Sequence, residues 1–177
     1  MSNAAVAPLA RAQELAGGAA TVAVVAAVLI VLGAVAGEVD PVIGAFRNRE
    51  VTPDLQGAAN LFNAVGVFWL MALPSFLLAG ALIDLSKVLD EYGKGQFFTL
   101  RASAHVRKAG EGAIWALVFK IVASPTIVSW ITQEGRGFIW RMEPFDLGLI
   151  AFAAFVMVLG RVLEAAAKIK QENDEIV

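Results

Sequence analysis

The sequence contains no cysteine and one histidine, His105. The first absence excludes disulfides, thiolate metal sites, iron–sulfur ligation and a cysteine nucleophile. The second excludes a histidine cluster within one chain, so a bis-histidine haem or a histidine-rich zinc site would need a partner subunit. Charge is scarce as well. Only 17% of the 177 residues are charged and the formal net charge is −2, which excludes a strongly basic protein that binds nucleic acid directly. No phosphate-binding glycine loop, nucleophile elbow or HExxH occurs, and Gly93-x-Gly95 lacks the remaining glycine and preceding strand of a dinucleotide fingerprint. Ser75, Ser103 and Ser129 have no plausible base. The sequence therefore offers no catalytic, cofactor or metal residues, and the expected role is non-enzymatic.

What the chain does have is apolar length. It is 58% hydrophobic, with a mean hydropathy of +0.70. Leu55 to Ile83 is a run of 29 residues without formal charge, bounded by Asp54 and Asp84. About 20 apolar residues cross a bilayer core as a helix, and a domain this small could not bury such a rod on all sides. The expectation is an all-α integral membrane four-helix bundle forming one domain over residues 1–177. Its spans are expected near 19–36, 58–83, 113–131 and 145–163, with a cytoplasmic hairpin over 84–112 and a cytoplasmic tail over 164–177.

The first span has a competing reading, because Ala34-Val35-Ala36 resembles a signal-peptidase site. Its apolar run is longer than the about 7 to 15 residues of a cleavable signal, and its leading segment is barely basic, so a retained helix is expected. The residues before it, Met1 to Gly18, are expected to be frayed or to lie on the surface. Gly33 and Gly37 form a GxxxG that offers a homo-oligomer face, although small residues are common in membrane helices. Thr52 or Asp54 is expected to cap the second span, and Thr99 a helix beginning at Leu100 with a Phe before it as a staple. Gly93 and Gly95 should break the helix before it.

The third span is interrupted by Lys120, with Ser124-Pro125 following within it. An ionised group at mid-membrane costs on the order of 3 kcal/mol or more, so Lys120 should face the bundle, snorkel, or lose its charge. Counting depth from the cytoplasmic ends places it level with Pro74 and Ser75. Proline at 74 frees the Leu70 carbonyl, so Lys120 is expected to bond that carbonyl or the Ser75 hydroxyl. No carboxylate is expected at that depth, and Asp146 and Arg161 are both expected at headgroup level. Trp130, Phe138 and Trp140 suit an interfacial aromatic belt.

Basic residues set the orientation. Arg11, Lys87, Lys94, Arg101, Arg107, Lys108, Arg161, Lys168 and Lys170 fall on one side of the four spans, and Arg47, Arg49, Arg136 and Arg141 on the other. The richer side, with both termini, should be cytoplasmic. Arg101, His105 and Lys108 fall on one helical face, expected to be solvated and to contact anionic lipid, the acidic tail or a cytoplasmic partner. Lys94 and Arg107 extend that basic region, and Glu172, Asp174 and Glu175 form the acidic tail, which should fray because acids oppose the dipole at a helix C-terminus.

Two stretches carry a resemblance. Gly95-Gln96-Phe97-Phe98-Thr99, continuing to Val106-Arg107-Lys108-Ala109-Gly110, together with Arg161-Val162-Leu163-Glu164 through Glu172-Asn173-Asp174, resemble the hairpin and closing helix of a bacterial four-helix membrane family of unknown function. The chain departs from that pattern at Leu100 and Ala102, where the family often has proline and asparagine. The resemblance implies an inner-membrane, multi-pass protein, commonly encoded beside small helix-turn-helix regulators, that restrains or signals to a DNA-binding protein. The other roles open to such a chain are an accessory subunit of a larger membrane complex and a small transporter or channel.

Overall fold

The computed structural model describes residues 3–97, 99–132, 135 and 137–176, with side chains described from Arg11 to Asn173 within those limits. It is helical throughout, with no strand among the described residues: α1 (Asn3–Glu38), α2 (Asp40–Arg47), α3 (Leu55–Gly93), α4 (Leu100–Val118), a π turn (Phe119–Ala123), α5 (Ser124–Ile131) and α6 (Pro144–Ile176). α4, the π turn and α5 form one continuous rod. Four helical segments, 11–47, 55–93, 100–131 and 144–173, are long and apolar enough to cross a membrane among the described residues.

Local chemistry explains the breaks. Asp54 caps α3 by accepting from the Gly57 N–H at 2.8 Å, while the Thr52 hydroxyl donates to Asp54 at 2.6 Å. Both bonds favour the carboxylate, the Thr52 hydroxyl more strongly, and hold Asp54 below the usual carboxylate range. The expected alternatives for this cap thus act together. α3 ends in a Schellman arrangement: Gln96 N–H donates to the Glu91 carbonyl and Gly95 N–H to the Tyr92 carbonyl. Gly95 sits at φ +77°, a conformation that glycine adopts without steric cost. The Thr99 hydroxyl accepts from Ala102 N–H at 3.0 Å and starts α4. Phe98, the expected staple, lies outside the described residues.

The helices pack in chain order: α1 on α3, α3 on α4, α4 on α6, with α2 against α3. No substantial packing joins α1 to α4 or α6, or α3 to α6, among the described residues. The arrangement is an open row where a closed bundle was expected. Gly110 and Gly160 account for the tightest seam, since a Cβ at the first would collide with the Met157 backbone and at the second with the Arg107 backbone. Only glycine lets α4 and α6 approach this closely.

Two boundaries differ from expectation. α1 runs unbroken from Asn3, with Gln13 and Gly17 backbone 3.5 Å from where a Cβ on Gly93 would lie, so contact with the end of α3 supports the part expected to fray. α6 likewise continues to Ile176 despite its acidic end.

Candidate functional site

Two prolines organise the polar residues in the apolar part of the row. A proline within a helix has no N–H for the carbonyl four residues back. For Pro74 the orphan is the Leu70 carbonyl, and the Ser124 hydroxyl donates to it at 2.6 Å. For Pro125 it is the Ile121 carbonyl, which accepts from Arg141 N–H at 3.0 Å. Each proline thereby creates an acceptor that another segment uses, tying α5 to α3 and the chain before α6 to the π turn.

Lys120 lies in that π turn. Its ammonium donates to Asp146 Oδ1 at 2.7 Å and stands 3.6 Å from Glu143 Oε2. This corrects the expected partner: the Leu70 carbonyl is engaged by Ser124, and Lys120 bonds neither it nor Ser75. It also corrects the expected absence of a carboxylate at this depth. Asp146 is shielded from solvent by the surrounding protein, at 0% exposure. Its other oxygen accepts from Glu143 N–H at 3.0 Å, so Asp146 caps its own helix from the third position while Lys120 balances its charge. Lys120 itself is 44% exposed and Glu143 73%. Ser124 is one helical turn past Lys120, which places Lys120 level with Pro74.

Between α5 and α6, residues 137–139 lie back along α5. The Thr126 hydroxyl donates to the Ile139 carbonyl at 2.9 Å and accepts from Ile139 N–H at 3.1 Å, and Trp130 Nε1 donates to the Gly137 carbonyl at 3.1 Å. Irregular backbone can lie at membrane depth only when its polar groups are met by protein or a watery cavity, and these bonds meet several of them. Trp130, Phe138 and Trp140 are all exposed.

The open row leaves a cleft of about 850 Å³ between α3 and α6, floored by α4. Pro74, Ser75, Lys120, Ser124, Pro125 and Glu143 line one end, and Tyr92 and Leu163 the other. Between them the lining is almost wholly aliphatic.

At the opposite end of the row, ion pairs knit α3, α4 and α6. His105 Nδ1 lies 3.0 Å from Asp84 Oδ1, and the Lys87 ammonium 3.1 Å from the same oxygen. Arg101 pairs with Glu91 at 3.3 Å, Arg107 with Glu111 at 2.8 Å and Glu164 at 3.7 Å, and Lys168 with Glu164 at 3.3 Å. Lys94 pairs with Asp90. His105, expected to be solvated, is 17% exposed because it faces α3, and the expected basic stripe divides: Arg101 and His105 meet α3 carboxylates while Lys108 remains exposed without an ion pair among the described residues. Glu172 is exposed; the side chains of Asp174 and Glu175 lie outside the described residues. No group of three or more His, Cys, Asp or Glu among the described residues is placed to hold a metal.

The model of a family described as protein of unknown function (DUF2975) matches residues 48–177, a stretch of 130 residues that takes in α3 to α6 and leaves out α1 and α2. No curated protein and no solved structure matches the chain.

Proposed function

This chain belongs to the family described as protein of unknown function (DUF2975), and we propose that it is a non-enzymatic, multi-pass protein of the bacterial inner membrane that acts by binding a cytoplasmic partner. Four apolar helices support insertion, and the excess of Lys and Arg on one side supports cytoplasmic termini.

One observation carries the reading of partner binding. The hairpin's cations, apart from Lys108, are paired within the chain, whereas α6 runs past Ala167, its last buried residue among those described, with every side chain from Lys168 to Asn173 exposed. A helix end that projects from the row with acids against its dipole gains stability when a basic surface meets it. Glu172, Asp174 and Glu175 are the acids that such a partner would contact. In this reading Lys108 and the exposed Arg161 face anionic headgroups.

The test is affinity capture of the intact protein in mild detergent, beside a chain truncated after Lys170 and a variant carrying Glu172→Lys, Asp174→Lys and Glu175→Lys. A cytoplasmic protein retained at low salt, released at high salt and lost from both variants is the expected result. An identical set of proteins on all three baits would refute it.

A transporter reading draws on the Lys120–Asp146 pair. The bonds argue instead for a structural tie, since Asp146 spends its second oxygen capping its own helix.

A further inference from the structure

The cleft between α3 and α6 extends along α3 from Met71 to Tyr92, a rise of about 32 Å at 1.5 Å per residue. That matches the about 30 Å of a whole hydrocarbon core. A phospholipid tail reaches only half of that depth, whereas a transmembrane helix fills all of it. The floor is built from Ala109, Ala113 and Ala116 of α4, and the walls from larger side chains such as Leu82 and Phe152. Small residues below and bulky ones beside are the surroundings in which helix backbones approach closely in lipid.

The chain itself carries a helix suited to this trough. α1 has no aromatic residue and packs only on α3 among the long helices, with 11% of its most apolar window buried. Its face away from α3 presents Val25 and Leu29, with Gly33 and Gly37 following toward one flank, all exposed, and a Cβ at either glycine would meet nothing within 4 Å. Glu38, at the end of α1, borders the cleft, which puts the free helix and the empty trough on a shared side of the row.

We infer that two copies of this chain pair within the membrane, the α1 helix of each lying in the α3/α6 cleft of the other. A twofold axis along the membrane normal makes the contact reciprocal. It preserves each helix's direction, so the inserted α1 runs antiparallel to both cleft walls.

Register supplies the test. Gly93 abuts Gln13 and Gly17, Gly112 abuts Ala81, and Gly110 abuts Met157; counting from these approaches places Leu29 at the height of Phe152. The chain has no native cysteine. Two differently tagged full-length chains, one with Leu29→Cys and one with Phe152→Cys, are co-expressed and oxidised in native membranes. The expected product is a disulfide-linked dimer bearing both tags. A second measurement, native mass spectrometry from nanodiscs, should give twice the chain mass, and Gly33→Leu, at a position where an added Cβ meets nothing within 4 Å inside one copy, should weaken that dimer about tenfold. The inference is overturned if no mixed-tag dimer forms, if a Leu29→Cys/Phe152→Cys double variant cross-links only within itself, or if the particle holds one chain with lipid or an unrelated protein.

Discussion

Lys120 shows how far a single residue's physics reaches. Its cost in an apolar helix demands an anion or an escape route, and the chain supplies both: Asp146 at 2.7 Å and a side chain that is still 44% exposed. Removing one partner from a fully buried pair costs about 3–5 kcal/mol. Because Lys120 keeps much of its exposure, Lys120→Met should cost on the order of 2 kcal/mol, the remainder of that range being lost to screening. The Lys120→Met/Asp146→Asn double variant should recover most of the loss, since asparagine still accepts from the Glu143 N–H and carries no uncompensated charge. Thermal unfolding in a fixed detergent measures both, and a single variant as stable as the parent would show that the pair contributes nothing.

At the scale of elements, the two prolines act as connectors. Pro74 leaves α3 continuous and offers an acceptor to its neighbour; Pro125 does the same beyond the π turn, where the helix has already changed its hydrogen-bonding pattern. The Ser124 hydroxyl should therefore matter only while Pro74 is present. Ser124→Ala should cost about 1 kcal/mol in the parent and close to nothing in a Pro74→Ala background, where the N–H of the introduced alanine reaches the Leu70 carbonyl itself. A double-mutant cycle on unfolding free energy reads this coupling; equal costs in both backgrounds would detach the serine from the proline. The proline and the carbonyl it frees were legible from sequence, but the donor was not. Ser124 and Lys120 are one turn apart on the same face of the rod, and only the axial register between that rod and α3 decides which of them meets Leu70.

For the whole molecule, topology is the property on which the proposed role depends. Single cysteines introduced at Glu14 and Glu172 should be shielded from a membrane-impermeant maleimide in intact spheroplasts and labelled after permeabilisation, whereas one at Arg49 should react in both. Labelling of Glu14→Cys and Glu172→Cys in unequal measure before permeabilisation would place the ends on opposite faces. Were the chain paired as inferred, two acidic tails would leave the same face together, and a partner with two basic patches would gain by effective concentration without any new kind of contact.

The helices, their caps and their apolar lengths were written in the sequence, because each depends on neighbours within four residues: Thr99 and Asp54 cap, Gly95 turns, and long uncharged runs cannot be solvated. The family resemblance was legible for the same reason, resting on short stretches at the hairpin and the tail. What the sequence left open was every relation between helices. That Asp146 is buried beside Lys120, that His105 faces Asp84, that Arg141 returns to Ile121, and that the four rods stand in a row with a trough between α3 and α6 all depend on axial rotation and on close seams such as Gly110 against Met157. Those are set by packing between segments tens of residues apart, and only the tertiary structure decides them.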